Sequence, residues 1–202
     1  SIISITLISC SDDVKILEKR IEIQAEKNNT DISSFEVTKT ALSLLAWGKE
    51  DFYQEAIDEF LDEDMSNFPE EINVLFTGSS SIRFWETLEE DMYPLKVLNR
   101  GFGGAHIAHV NYHFKDVVER YNPKAIVFFC GTNDITALKT PDETVNDFKV
   151  FRQKVKAAMP DVHIFVIGIK PTPARQYLEN EELEYNKLLT DMSKEDDLLT
   201  FI

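Results

Sequence analysis

Five short apolar runs, spaced between amphipathic segments, constrain this chain more than any other feature. They are INVLF (72–76), LKVLN (95–99), KAIVFFC (124–130), HIFVIGI (163–169) and LLTFI (198–202). A run with no polar face reads as a strand buried on both sides. The segments between them carry apolar residues at helical spacing: SIRFWETLEE behind a serine, then 105–120, 141–159 and 177–193. Strand and helix alternating in this way specify a parallel sheet covered on both faces. Right-handed crossovers leave few topologies. The expected fold is α/β: a flavodoxin-like three-layer α/β/α sandwich with strand order 2-1-3-4-5, preceded by a helical N-terminal segment.

That preceding segment is more varied. Residues 38–64 read as one or two helices, with Ala41, Leu44, Leu45, Phe52, Ala56, Ile57 and Phe60 on a common face. The stretch DEDMSNFPEE (62–71) reads as an acidic loop, because Pro69 disfavours helix just before it. Residues 11–29 are charged, with Ile16, Leu17, Ile21 and Ala25 loosely helical in spacing, and fit either a spacer helix or a mobile tether. SIISITLISC (1–10) is too short to span a bilayer. Its end, Leu7-Ile8-Ser9-Cys10, resembles the tail of a bacterial lipoprotein signal peptide, in which the cysteine takes the lipid. The basic region such a peptide needs is not present, so the sequence is read as beginning part-way through it. The other reading is a short β-branched strand. The expected division is a partial signal peptide (1–10), a tether or helical extension (11–50) and the main α/β domain (51–202), with an extracytoplasmic, lipid-anchored location.

Charge narrows the partners. A formal net charge of −15 argues against nucleic acid and against an anionic membrane surface. Membrane attachment would then come only through Cys10. With Cys130 as the other cysteine, there is no disulfide framework, and Cys130, closing an apolar run, reads as a buried core thiol. The pattern implies neither a metal nor an organic cofactor.

Ligands in doubly wound sheets bind outside the carboxyl ends of the strands. The unusual residues of this chain cluster there: TGSSS (77–81), NRGFGG (99–104) and CGTND (130–134). Gly78 permits a tight turn, and a serine after it meets a helix N-terminus, where free N–H groups favour developing negative charge. An attacking serine hydroxyl needs that help, since its tetrahedral intermediate carries an oxyanion. The glycine loop adds backbone donors, and Asn133 adds a side-chain amide. These are the parts of half an acyl-transfer site.

The blocks FTGSSSIRFW, VLNRGFGGAHI, FFCGTNDI and IGIKPTPAR resemble, in order, those of the SGNH (GDSL-type) hydrolases. The similarity is greatest to the branch containing platelet-activating-factor acetylhydrolase subunits and lysophospholipase-like esterases. It spans about residues 52–202 and implies a serine esterase or acylhydrolase. On that resemblance Ser80 is the nucleophile, while Gly104 and Asn133 complete the oxyanion hole with the Ser80 N–H. Ser79 shapes the turn and Ser81 caps the helix. Ser79, His106 and Asp134 are candidate substrate contacts. The family's Asp-x-x-His block, source of the base and its orienting acid, does not occur: the histidines are His106, His109, His113 and His163. The resemblance therefore implies a sequence truncated at both ends and inactive without that block. The substrate it suggests is a small-molecule or glycan ester, with O-acetylated carbohydrate favoured.

Plainer roles remain open. The serines can be a turn and a cap. The glycines lack the GxGxxG spacing and a P-loop lysine, which argues against nucleotide binding. His106 and His109 are not four apart and have no HExxH-like partner, and Arg175 reads as a loop anchor. The competing function is a non-catalytic module that recognises acylated glycans in the same crevice.

Overall fold

Residues without a polar face stack side by side and bury both sides. In the computed structural model, which describes residues 2–202 and side chains from Asp12 onward, five strands do so. They are β1 (Val74–Gly78), β2 (Val97–Gly101), β3 (Ala125–Phe129), β4 (His163–Val166) and β5 (Leu199–Phe201). All pair in parallel, in the order β2-β1-β3-β4-β5, the flavodoxin-like order expected above. The helices, in chain order, are α1 (Ile2–Lys27), α2 (Ser34–Trp47), α3 (Gln54–Ser66), α4 (Ser80–Arg83), α5 (Leu88–Asp91) and α6 (Ile107–Tyr112). Then come α7 (Phe114–Val117), α8 (Thr132–Thr136), α9 (Pro141–Ala158) and α10 (Glu179–Lys194).

The chain divides into two units, Ser1–Phe52 and Tyr53–Ile202. In the first, α1 and α2 pack together and bury Ile21, Val37 and Ala41. A capping box starts α2: Ser33 Oγ accepts the Glu36 N–H at 3.3 Å, and the Glu36 carboxylate accepts the Ser33 N–H at 3.0 Å. Residues 2–10 are the start of α1 rather than the short strand that was one reading. The Cys10 side chain, with the lipid attachment expected on it, lies outside the described residues. Among the described residues no helix is long and apolar enough to cross a membrane.

In the second unit alternate strand residues feed two cores. On one face Phe128 meets Phe148 and Phe151 of α9, with ring centroids 5.3 and 4.5 Å away. All three rings are fully buried, and burial of such a side chain contributes about 1.5–3 kcal/mol. A second capping box, Thr140 with Glu143, and Pro141 at the first position start α9 and set its angle of entry. On the other face Phe76, Ile82 and Leu88 cluster, and Trp85 packs edge-on against Phe76 at 5.6 Å.

Two local expectations change. The helix expected over 105–120 is broken into α6, α7 and a 3-10 turn at Glu119–Tyr121, ending on Asn122 in a left-handed conformation with φ 43°. The acidic stretch at 62–71 is helical as far as Ser66, because Asp64 has a buried partner. Its carboxylate accepts Arg100 Nη2 at 2.7 Å and the Tyr121 hydroxyl at 2.6 Å. The Arg100 guanidinium also lies over the Phe60 ring, 4.8 Å from its centroid. This network fastens α3 to β2.

Candidate active site

The strand register puts Gly78, Gly101 and Phe129 side by side, so the loops that follow begin at one level. Backbone bonds then stitch them together. The Ser79 N–H donates to Phe129 O at 2.8 Å, and the Phe102 N–H donates to Gly78 O at 3.1 Å. The closeness of β1 and β3 requires glycine at 78: its φ is +126°, and a Cβ there would lie 2.0 Å from Phe129 O.

Ser80 is the first residue of α4 and is half-buried, while Ser79 is the N-cap and 1 % exposed. Ser81 is exposed and lies inside the helix rather than capping it, because the turn closes two residues earlier than expected. The N–H groups of Ile82 and Arg83 already donate to Ser79 O, at 3.0 and 3.2 Å. The helix rests on the end of β2, since a Cβ on Gly101 would meet Ile82 and Arg83 at 2.7 Å.

The second and third loops are fastened to each other by side chains of the third. Ala105 O accepts Asn133 Nδ2 at 2.9 Å and Cys130 Sγ at 3.2 Å. The Ile107 N–H, at the start of α6, points to both Asp134 oxygens at 3.3 and 3.2 Å. Lys139 Nζ donates to Asp134 at 3.0 Å and to Asp147 at 2.6 Å. Behind the loop, the Tyr185 ring of α10 fills the space where a Gly131 Cβ would stand, at 2.6 Å, and its hydroxyl donates to Cys130 O at 3.2 Å. Gly104, next to Ala105, is half-buried with φ +79°.

Ser80, Gly104 and Asn133 thus stand on loops that leave the sheet at one level, and Ser80 and Asn133 are partly exposed. Asn133 gives one of its two amide hydrogens to Ala105 O. Ser79, His106 and Asp134 lie beneath the surface, so in this conformation they support the rim rather than meet a ligand. Burial pushes the Asp134 carboxyl up to about 6, against the pull of Lys139. His106 is driven down to about 3 by burial, with His109 and Lys139 adding to the effect, so it stays neutral.

His106 and His109 stack on each other at 4.9 Å, and His109 Nδ1 accepts the His106 N–H at 2.9 Å. His113 is buried, and the His163 ring is 2.8 Å from the Thr200 hydroxyl on the far strands. Arg175 reaches Glu182 at 3.3 Å and anchors its loop, and burial raises the Glu182 carboxyl. Lys139, Asp147 and Tyr185 went unremarked in the sequence. Only the alternation of acid and base over 134–147 hinted at the first two. Among the described residues no cluster of His, Cys, Asp and Glu is grouped to hold a metal ion.

The family model described as GDSL-like lipase/acylhydrolase matches residues 72–201. Among solved structures, a protein from Streptococcus pneumoniae described as a platelet activating factor superposes with a TM-score of 0.67. It is 19% identical, and the match covers 81% of this chain and 80% of that one. An acylhydrolase from Bacteroides fragilis gives a TM-score of 0.59 at 18% identity, covering 77% and 76%. A GDSL-like lipase from Bacteroides thetaiotaomicron gives 0.56 at 18% identity, covering 72% and 76%. At these identities the likeness establishes the fold. No curated protein matches the sequence.

Proposed function

The chain belongs to the GDSL-like lipase/acylhydrolase family, and from that premise we propose that it cleaves carboxylic esters through an acyl-enzyme on Ser80. The Ser80 oxygen attacks the acyl carbon, and the carbonyl electron pair moves onto oxygen. The N–H groups of Ser80 and Gly104 and the free amide hydrogen of Asn133 receive that charge. The histidine of the Asp-x-x-His block that the family resemblance implies, not among residues 1–202, would take the serine proton and pass it to the departing alcohol, and water would then release the acid. The observation that supports this reading is the alignment of three strand ends, from which the loops bearing Ser80, Gly104 and Asn133 begin at one level.

The substrate in this reading is a small-molecule or glycan ester, with O-acetylated carbohydrate favoured. Lipid attachment at Cys10 and an extracytoplasmic site remain part of the proposal, supported by Leu7-Ile8-Ser9-Cys10 alone. A second reading, recognition of acylated glycans without cleavage, is favoured by one observation. No Asp-x-x-His occurs in residues 1–202, His106, His109 and His113 are buried, and the His163 ring meets the Thr200 hydroxyl. Loss of a triad member costs on the order of 10⁴-fold or more in rate, so residues 1–202 alone are expected to turn over p-nitrophenyl acetate barely at all. Ser80 is still expected to form a covalent adduct with a fluorophosphonate on long incubation, seen by mass spectrometry and lost in Ser80→Ala. A folded protein in which Ser80 never reacts supports the binding module instead.

A further inference from the structure

We infer that Asp134 is a positioning residue: from the loop that carries Asn133, it holds the peptide 104–107 so that the Gly104 N–H and the Asn133 amide face the same point. The inference rests on the esterase reading of Ser80 and adds a residue that reading does not use. Asp134 is wholly buried and touches no ligand, so any effect on the reaction must pass through what it holds. It holds the Ile107 N–H, three residues beyond Gly104, on both oxygens. Its neighbour Asn133 holds Ala105 O between them. The two bonds grip one short peptide from both ends, and Gly104, at φ +79°, is the flexible residue just before the grip.

The choice of a carboxylate has consequences. Asparagine would accept the Ile107 N–H equally well and would not bring a charge into the interior. The carboxylate adds a tie to Lys139, and through Lys139 to Asp147 of α9. The second and third loops are thereby braced against the long helix that packs on the sheet. Every group around Asp134 bears on its ionisation. Lys139 and the Ile107 N–H favour the charge, while Asp147 of α9 opposes it. The Cys130 thiol of the β3 end and the Tyr185 phenol of α10 face it as neutral groups, both pushed well up by burial. The brace is complete only while Asp134 is ionised, above about 6.

The test measures the second-order rate of fluorophosphonate labelling at Ser80 in the full chain, alongside thermal melting, across pH 5 to 8. Removing an oxyanion donor outright costs about 10²–10³-fold. Loosening two donors through Asp134→Asn is therefore expected to slow labelling roughly tenfold at pH 7.5, with the melting temperature unchanged or higher. The wild-type rate is expected to fall towards that of Asp134→Asn as pH drops below about 6, so that the two converge. Lys139→Met keeps the carboxylate but removes the brace, and is expected to slow labelling a few-fold even if Asp134→Asn does not fold. Equal labelling of wild type and both variants at pH 7.5 overturns the inference, as does a slowing that merely tracks the folded fraction. A folded wild type whose Ser80 never labels overturns the esterase reading itself, and the inference with it.

Discussion

Two buried aspartates, Asp64 and Asp134, sit on the same domain and are treated very differently. Asp64 is met by a guanidinium at 2.7 Å and a phenol at 2.6 Å, with Arg120 a further 3.6 Å away. Asp134 receives a single backbone N–H split across both its oxygens, at 3.2–3.3 Å, and an ammonium shared with Asp147. The first network spans α3, β2 and the 3-10 turn, with Arg100 one residue before the end of β2. The second lies directly under the rim. Strong, nearly saturated pairing is what a fastening between elements needs. The weaker set leaves Asp134 with a raised pKa of about 6, a charge held at some cost to stability. Such a cost beneath the strand-end loops is a mark of a functional site. Asp64 holds the domain together, and Asp134 holds the site in shape.

The largest expected effect breaks the Asp64 side. Asp64→Ala takes the buried carboxylate from Arg100, whose side chain is 7 % exposed, and leaves it the Tyr121 hydroxyl at 2.7 Å, Glu63 at 3.5 Å and a backbone carbonyl. Orphaning one partner of a buried pair costs about 3–5 kcal/mol, read as a lower urea midpoint. The Tyr121 hydroxyl, whose pKa is raised to about 12 by burial and then by its bond to Asp64, loses its acceptor as well. The molecules that remain folded are expected to label at Ser80 as fast as wild type. A matching loss of labelling would erase the contrast between the two aspartates.

Asp134→Asn is the next largest effect, and its sign is opposite. The folded-state value of about 6 lies above the ordinary 3.8. The stability Asp134 contributes is therefore full below about pH 4 and is lost as pH rises through 6. That difference amounts to on the order of 3 kcal/mol. Melting curves of the two proteins are expected to agree most closely at pH 4 and to separate by pH 7, with the asparagine variant the more stable there. A variant that is less stable at pH 7 would make Asp134 a second Asp64.

How this contrast reads in the sequence depends on distance along the chain. The sheet order was legible because each strand is apolar on both faces and each crossover has one allowed hand. Gly78, Ser80, Gly104 and Asn133 were legible as residues because each stands within a few positions of a strand end. Their shared rim then follows from register. Asp64 was not legible. It lies among acids in DEDMSNFPEE, and its donors are 36 and 57 residues away. Local charge therefore argued for a solvated loop, and a tertiary pair overrode it. The break of 105–120 at His113 was invisible for the same reason, since a helical period records spacing and not the turn that a buried ring imposes. Ser81 was assigned the cap two residues late, because in three successive serines only the backbone geometry says where the turn closes.

The smallest expected effect separates the two halves of the clamp on the second loop. Cys130 donates to the same Ala105 oxygen that Asn133 holds, at 3.2 Å. Burial drives its thiol well above the ordinary range, so it stays protonated and does not compete with Ser80 for the fluorophosphonate. Cys130→Ala removes a weak donor and a small volume from a site that is 1 % exposed, which costs about 1 kcal/mol in stability. Labelling at Ser80 is expected to change by less than about twofold, because Asn133 still holds Ala105 and Asp134 still holds Ile107. A slowing as large as that from Asp134→Asn would mean that the grip on the Ala105 carbonyl, and not the carboxylate with its lysine brace, sets the geometry of the rim. In that event the difference between Asp64 and Asp134 would lie only in how well each is satisfied.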